Sequence, residues 1–262
     1  MSFTHLHLAS GFSFKYGTTH PEDLVARAKE LGMNSLALTD RDGLAGAIRF
    51  VRSCVDHSIN PILGIDIQAE DQSRVLLLAT PGQGWSSLVK LMSALKESSA
   101  PASHSFFAKH SNLTSNLRIL YGPDSNIGRA LIARRYEKAL AFYNQSRDLF
   151  LDQGIECVSH LVYGDGPRST VHAARMLGFA RDNNLPAILT NAARMKVRDD
   201  APIADILDAT RHLMPLHKKV VERSNAEGFL KSSEEMAYLA DEITRAAGER
   251  NSNLLLRTTS EW

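Results

Sequence analysis

The sequence predicts an α/β fold, because short apolar segments of strand type alternate with longer segments whose apolar residues recur at helical spacing. Its 262 residues, 44% of them hydrophobic, can bury one large core, and an α/β barrel of this length is ordinarily one domain. We therefore expect a single domain over residues 1–262, with a barrel over about 1–195 and a mainly helical part over about 200–250.

The N-terminal third shows the alternation most clearly. Residues 3–8 resemble a strand that ends in the small residues Ala9, Ser10 and Gly11. Pro21, followed by two acidic residues, predicts the start of a helix that ends before Gly32. A strand at 35–38, an amphipathic helix at about 47–56 and a buried strand at 61–67 follow. This order favours a parallel sheet with right-handed crossovers.

The remaining segments continue the pattern less regularly. We predict further strands at 74–79, 117–121, 154–160 (including the exit loop) and 186–191, and helices at 85–95, 127–149 and 169–184. The segment 98–115, rich in Ser, His and Asn, has no clear periodicity and is predicted to be a mobile loop. Beyond about residue 200 the chain is predicted to be helical with breaks near Pro215 and Gly228, and residues 257–262 form a polar tail.

Composition excludes several classes of function. The formal net charge is only +1, so the overall charge does not favour a nucleic-acid partner. The N-terminus lacks a signal-peptide pattern, and no apolar run approaches the roughly 18 residues that a membrane span needs, so we expect a cytoplasmic protein. Cys54 and Cys157 stand alone, which suggests neither a disulfide framework nor a cysteine-rich zinc site.

Two histidines in the first segment suggest metal chemistry. His5 and His7 are two residues apart on a predicted strand, so both side chains point to one face. Other catalytic templates are missing, since the sequence has neither a Gly-x-Ser-x-Gly elbow nor a phosphate-binding glycine loop followed by Lys-Ser or Lys-Thr. Four basic residues could make a weak nucleic-acid contact, although acidic neighbours favour a solvated face: Arg129, Arg134, Arg135 and Lys138.

Three motifs together resemble a known family. They are Leu6-His7 through Phe12-Ser13-Phe14 to Gly17, then Leu38-Thr39-Asp40-Arg41-Asp42-Gly43-Leu44, then Leu63-Gly64-Ile65-Asp66. The pattern resembles the polymerase and histidinol phosphatase (PHP) domain of bacterial DNA polymerase III alpha subunits, especially the error-prone, translesion branch. This resemblance implies a distorted seven-stranded β/α barrel, with up to three metal ions at the C-terminal ends of the strands in active members.

The resemblance also implies that much of the metal site has changed. Three family ligand positions keep a suitable side chain: His7, Asp66 and His160. Other family positions have lost theirs: Ala9, Tyr16, Arg41, Pro123, Ala192 and Arg194. In this alignment His5 falls outside the ligand set and is expected to be an exposed or edge-strand histidine. Because permanently charged guanidinium groups repel metal ions, we predict no metal cluster and no metal-dependent phosphoesterase activity.

We expect the two arginines to replace the metal charge by pairing with nearby carboxylates. Arg41 and Arg194 would pair with Asp40, Asp42 or Asp66. Two alternatives stay open. The arginines could form an open pocket that binds phosphate without metal, and His7, His160 and Asp66 could hold one residual zinc or manganese ion, although no cofactor is expected.

The resemblance finally implies a role in DNA replication, translesion synthesis or repair. We predict a non-catalytic structural or interaction module of a DNA polymerase III alpha-type protein, which does not synthesise DNA by itself because the polymerase parts lie beyond a PHP domain. In this family the domain stabilises the polymerase and can dock a proofreading exonuclease. Its expected partners are the rest of a polymerase or other replication and lesion-bypass proteins. The alternative is a phosphoesterase acting on a small phosphate ester with a reduced or absent metal centre.

Overall fold

A curved mixed sheet forms the centre of the molecule in a computed structural model that describes residues 2–98, 101–216 and 223–262. The strands are adjacent in the order of the sequence: β1 (Ser35–Leu38), β2 (Asn60–Gln68), β3 (Arg74–Ala79), β4 (Leu117–Tyr121), β5 (Asp152–Val158) and β6 (Ala187–Thr190). All six were predicted within two residues of their observed ends. This mixed α/β half-barrel confirms the predicted fold class, but it has six regular strands in the described ranges instead of seven.

One strand runs against the predicted direction. β3 pairs antiparallel with both β2 and β4, whereas the β1–β2, β4–β5 and β5–β6 pairs are parallel. The prediction of an all-parallel sheet was therefore wrong. The reason is the connection between β2 and β3, residues 69–73, which is too short for a helical crossover and forms a hairpin instead. Gln72 adopts a left-handed backbone conformation (φ 63°) in this turn.

The N-terminal segment closes the gap between the two edges of the sheet. The amide of Ala37 donates to the carbonyl of His5 (2.9 Å), and the amide of Ala9 donates to the carbonyl of Ala193 beyond β6 (2.9 Å). Thr39 interrupts a regular ladder, because its hydroxyl accepts the bond from the amide of Leu8 (2.9 Å). The segment therefore forms isolated bridges where the residue alternation predicted a strand.

The helices surround this sheet. In the described ranges they are α1 (Pro21–Glu30), α2 (Ala47–Asp56), α3 (Gly84–Ser98), α4 (His104–Lys109), α5 (Ser111–Thr114), α6 (Asn126–Ile132), α7 (Tyr136–Ser146), α8 (Thr170–Asp182), α9 (Ala201–Arg211), α10 (Ser233–Ala246) and α11 (Ser252–Glu261). Among the residues that can be described, no helix is both long and apolar enough to cross a membrane.

Two helical predictions need correction. The segment predicted to be a mobile loop contains α4 and α5, because the Ser103 hydroxyl caps α4 and Phe106 and Phe107 bury their rings; its residues 99 and 100 lie outside the described residues. The single helix predicted over 127–149 is two, α6 and α7, separated by a residue with positive φ, Arg134 (58°). The possible basic face for nucleic acid is thus distributed over two helices and their junction.

The last helix covers the barrel end opposite the expected site. The predicted polar tail is part of α11, in which Thr259 accepts a hydrogen bond from the amide of Leu189 (2.8 Å). The Trp262 side chain packs against the small interior cluster of the barrel: Leu6, Ala37, Leu76, Leu78, Leu120 and Ile188. At the C-terminal ends of the parallel strands, polar side chains collect around a cavity.

Candidate functional site

The polar side chains lie where the resemblance places the family metal centre. His7 comes from the first segment, Asp66 from β2 and Glu156 from β5, and all three border one small void. His7 Nδ1 lies 2.7 Å from Glu156 Oε1, and His7 Nε2 lies 3.9 Å from Asp66 Oδ2. These three side chains form the floor of the site.

Glu156 was not predicted as a site residue. Its carboxylate also accepts a hydrogen bond from the Thr190 hydroxyl (2.5 Å), and a Cβ at Gly122 would overlap its Oε2 atom. Burial alone would lower the pKa of His7, but the charge and hydrogen bond of Glu156 outweigh burial and raise that pKa. The sequence signal that could have identified Glu156 is its position as a charged residue within the apolar strand β5.

Asp66 is held by two arginines. Its Oδ2 atom accepts from Arg41 Nε (3.1 Å) and its Oδ1 atom accepts from Arg74 Nε (2.9 Å). Arg74 also donates to Asp42 Oδ2 (3.0 Å) and to the backbone carbonyl of Asp66 (2.7 Å). Arg41 thus has one of its predicted partners. Arg74 was not predicted as a partner, because the β2–β3 hairpin that brings it beside Asp66 was not predicted.

Arg194 points to a different carboxylate from the one expected. Its two terminal nitrogens donate to the two oxygens of Asp208 on α9, at 2.8 and 2.7 Å, in a bidentate ion pair. Arg211 donates to the same carboxylate (2.6 Å). The expectation that Arg194 would pair with Asp40, Asp42 or Asp66 was therefore wrong. The carboxylate that Arg194 binds belongs to α9 and is fully buried.

Asp40 is also placed differently from the prediction. Its carboxylate accepts from the Ser10 amide (2.6 Å) and from the hydroxyls of Ser10 and Ser13. In the described part of the chain these neutral donors hold Asp40 in place of an arginine. Burial raises the pKa of Asp40, although the serine hydrogen bonds oppose that shift. Asp40 therefore fixes the first loop and is not part of the arginine network.

Tyr16, which stands at a family acidic position, joins the two predicted arginines. The Arg41 guanidinium carbon lies 3.4 Å from the Tyr16 ring centroid, and that of Arg194 lies 4.7 Å from it. An aromatic ring attracts cations without carrying a charge. Tyr16 thus brings together two arginines whose carboxylate partners differ.

His160 and His5 each form a hydrogen bond with a backbone carbonyl group. His160 Nε2 hydrogen-bonds the carbonyl of Asn191 (2.8 Å), and burial, followed by the charge of Arg168, lowers the pKa of His160 to about 3. His5 is fully buried and bonds the carbonyl of Lys231 (2.9 Å), so the expectation of an exposed or edge position was wrong. Burial lowers the pKa of His5 to about 4. Both imidazoles are neutral near pH 7.

A cavity of about 400 Å³ lies above this floor. Six arginines line it: Arg41, Arg74, Arg129, Arg168, Arg194 and Arg223. Asp124 contributes a carboxylate and pairs with Arg168. His160 and Ala192 lie in the same wall. Arg168, Arg223 and Asp124 were not predicted as site residues; Asp124 lies in the short connection between β4 and α6, and the two arginines lie in loops.

Comparison with known proteins identifies the family. The family model described as "PHP domain" matches residues 5–160, which is more than half of the chain. The chain belongs to the PHP domain family. It is 27% identical over 258 residues to the DNA polymerase III subunit alpha of Buchnera aphidicola subsp. Acyrthosiphon pisum, covering 93% of this chain and 22% of the relative.

Further PHP relatives carry a second polymerase name. The Error-prone DNA polymerase of Symbiobacterium thermophilum is 43% identical over 94 residues, covering 36% of this chain and 9% of that protein. That of Pseudomonas fluorescens is 27% identical over 216 residues, covering 82% of this chain and 20% of that protein. The chain thus spans about a fifth or less of the length of these relatives.

A solved structure shares the PHP fold. A two-domain protein from Bacteroides vulgatus, described as containing a predicted PHP-like metal-dependent phosphoesterase, superposes with a TM-score of 0.50 at 14% identity. The match covers 74% of this chain and 52% of that one. At this identity the likeness shows the fold and does not show the activity.

The donor set of this PHP domain does not fit a multinuclear metal centre. In the ranges that the structure describes, no group of three or more His, Cys, Asp or Glu side chains is arranged to hold an ion. Both oxygens of Asp66 accept from guanidinium groups, and both ring nitrogens of His7 face carboxylates. The loss of metal-dependent chemistry itself stays a prediction.

Proposed function

We propose that this chain is a non-catalytic PHP domain of a DNA polymerase III alpha-type protein, a structural and interaction module in replication or translesion synthesis. It acts in the cytoplasm and does not synthesise DNA by itself. The observation that carries the proposal is Asp66 between Arg41 and Arg74 at the floor of the site. The relatives with polymerase names are several times longer than the chain. Their length supports the proposal that the chain is part of a larger protein.

Electrostatics supports the non-catalytic role. A dication 4 Å from one guanidinium group would meet a repulsion of about 8 kcal/mol at an effective dielectric constant of about 20. The carboxylate that would offset this repulsion, Asp66, already pairs with Arg41 and Arg74. A multinuclear zinc or manganese site would require the guanidinium groups of Arg41 and Arg74 to move away from Asp66.

Metal analysis with enzyme assays tests the proposal. We expect the purified chain to carry less than one equivalent of tightly bound metal and to hydrolyse no phosphate ester in added manganese or zinc. Elemental analysis and release of p-nitrophenol from p-nitrophenyl phosphate measure these properties. Stoichiometric metal with metal-dependent turnover would refute the non-catalytic assignment and support the alternative, a phosphoesterase.

The arginine-lined cavity is the observation that favours this alternative. If turnover occurs, Arg41→Ala distinguishes its origin, since an arginine-dependent reaction would be lost whereas a metal-dependent one would persist or increase. Arg181→Ala is the matched control, because Arg181 is exposed on α8 and pairs with Asp182 and Glu249 away from the cavity.

Association with polymerase partners tests the interaction role. We expect the chain to co-elute in gel filtration with the separately produced remainder of an alpha-type polymerase from the same organism. Pull-down against purified replication and translesion proteins extends the test. Failure to associate with any of them would contradict the module assignment even if the chain proved inactive.

A further inference from the structure

A second cavity, of about 310 Å³, lies on the outer face of the sheet behind the β2–β3 hairpin. The alternation of side chains along the hairpin separates it from the arginine-lined cavity, because Gln72 and Arg74 line that cavity whereas Ser73 and Val75 line this one. In the described ranges the two walls have no residue in common. This cavity, the outer pocket, is therefore separate from the PHP site.

The floor of the outer pocket is apolar and partly aromatic. Val75 on β3 and Ile119 and Tyr121 on β4 belong to the core between the sheet and the surrounding helices. Phe107 on α4 and Phe150 line one side, with ring centroids 5.3 Å apart in an edge-to-face arrangement. Small-molecule sites typically have volumes of about 300–1,000 Å³ and apolar, aromatic walls. The outer pocket therefore has the size and the lining of such a site.

Hydrogen bonds between elements preform the outer pocket. The Tyr121 hydroxyl donates to the Ser146 hydroxyl oxygen (2.5 Å), and His104 Nε2 bonds the backbone carbonyl of Gln145 (2.6 Å). These bonds attach β4 and α4 to the last turn of α7. A ligand therefore meets walls that are already in place, which lowers the entropic cost of binding.

Carboxylates stand at the mouth of the outer pocket. Among the described residues its wall contains Glu70 and Asp71, both exposed on the hairpin turn, and no lysine or arginine. Arg129 approaches the turn from the opposite side, where it lines the arginine-lined cavity and donates to the backbone carbonyls of residues 71 and 72. The C-terminal end of α7, which carries partial negative charge, lies in the wall of the outer pocket. The charge of this wall thus favours a cation.

We propose that the outer pocket binds a small organic amine, which consists of an aromatic or other apolar group and an ammonium group. The apolar group lies against the rings of Phe107, Phe142 and Phe150, and the ammonium group faces Glu70 and Asp71. A neutral ligand of the same shape lacks the attraction of the two carboxylates, and an anionic ligand is repelled by them. This ligand-binding role goes beyond the proposed module function, and it involves no bond cleavage.

NMR titrations of the full chain with three ligands of similar shape test the proposal. The ligands are the cation tryptamine, its neutral analogue tryptophol and the anion indole-3-propionate. We expect saturable binding of tryptamine, with tryptophol at least about threefold weaker and indole-3-propionate weaker still. Added sodium chloride should weaken the binding of tryptamine more than that of tryptophol, because salt screens the carboxylates. Absence of saturable tryptamine binding, or equal affinity for tryptamine and tryptophol, would overturn the proposal.

A charge-removing variant tests the role of the mouth. Glu70→Gln with Asp71→Asn removes both charges and keeps the shape of both side chains, and the new amide oxygen at position 71 can still accept from the Ser73 amide, as Asp71 Oδ1 does (3.0 Å). This variant should bind tryptamine about threefold more weakly and tryptophol unchanged. Asp23→Asn with Glu30→Gln is the matched control, because it removes two exposed charges on α1 outside the pocket. Equal losses in the two double variants would refute a binding role for Glu70 and Asp71.

Two further variants locate the ligand. Phe142→Ala removes a half-buried ring from the wall and should weaken tryptamine and tryptophol alike by about fivefold, whereas Phe14→Ala, which removes an exposed ring elsewhere, should have no effect. Because Phe142→Ala could disturb α7, the exposed substitution Gln145→Lys provides a second test. It places a cation in the wall, so it should weaken tryptamine and strengthen indole-3-propionate. Unchanged affinities in both folded variants would refute the outer pocket as the site. Amine binding and association with polymerase parts are separate readouts, so either proposal can fail alone.

Discussion

Arg41 and Arg194 line the same cavity but have different surroundings. Both guanidinium groups stack against Tyr16. Arg41 reaches the floor of the site and shares Asp66 with Arg74, whereas Arg194 turns to Asp208 on α9, which it shares with Arg211. An alignment locates a residue on a strand end, but the partner of a long side chain depends on elements from elsewhere in the chain.

Removal of Arg194 should have the largest effect on stability. Arg194→Ala breaks a bidentate ion pair in which Asp208 is fully buried, and loss of one partner of a buried pair costs about 3–5 kcal/mol. Urea unfolding followed by circular dichroism measures this loss. A decrease below about 1 kcal/mol would show that Arg211 alone can neutralise Asp208.

The dependence of stability on pH in the acidic range provides a control for the Arg194→Ala prediction. Hydrogen bonds and charges from Arg194 and Arg211 lower the pKa of Asp208 against the opposing effect of burial. A lowered folded-state pKa stabilises the protein above the unfolded value of 3.8, and this contribution disappears as the pH falls through the folded value. The difference between wild type and Arg194→Ala should therefore shrink below about pH 4. A constant difference would point to lost packing instead of lost charge.

Removal of Arg41 should cost less. In Arg41→Ala the Asp66 carboxylate keeps its bond from Arg74 Nε, so we expect a loss of about 1–3 kcal/mol in the free energy of unfolding. The double variant Arg41→Ala with Arg74→Ala should lose more than the sum of the single variants, since only then is Asp66 without a guanidinium from either side. Additive losses would contradict a shared role of the two arginines at Asp66.

Tyr16 tests whether the two arginines are coupled. Tyr16→Leu removes the ring that both guanidinium groups contact and should cost about 0.5–2 kcal/mol in unfolding free energy. Tyr16→Phe keeps the ring and is the matched control, with stability close to that of the wild type. If Tyr16→Phe were as unstable as Tyr16→Leu, the hydroxyl and not the ring would carry the interaction.

Local patterns and family motifs predicted the parts of the structure that depend on neighbouring residues. Strands β1, β3 and β4 have the predicted ends, and Arg41 pairs with Asp66 as one of the expected options. The errors arose where distant segments meet. The Arg74–Asp66 contact requires the β2–β3 hairpin, the Arg194–Asp208 pair requires α9, and His5 is buried by the segment around Lys231. The short connection 69–73 was the signal for the hairpin, whereas the Arg194–Asp208 pair and the burial of His5 have no periodic or short-range signal in the sequence.

Asp40 should show the smallest effect, with the opposite dependence on pH. Burial raises its pKa, and its bonds come from Ser10 and Ser13, so Asp40→Asn should change stability at pH 7 by less than about 1 kcal/mol. A raised folded-state pKa stabilises the protein below the unfolded value of 3.8, and this contribution is lost as the pH rises through the folded value. Asp40→Asn should therefore gain stability relative to wild type between about pH 4 and 7, measured by urea unfolding at each pH. A large loss at pH 7, comparable to that of Arg194→Ala, would mean that Asp40 belongs to the ion-pair network after all.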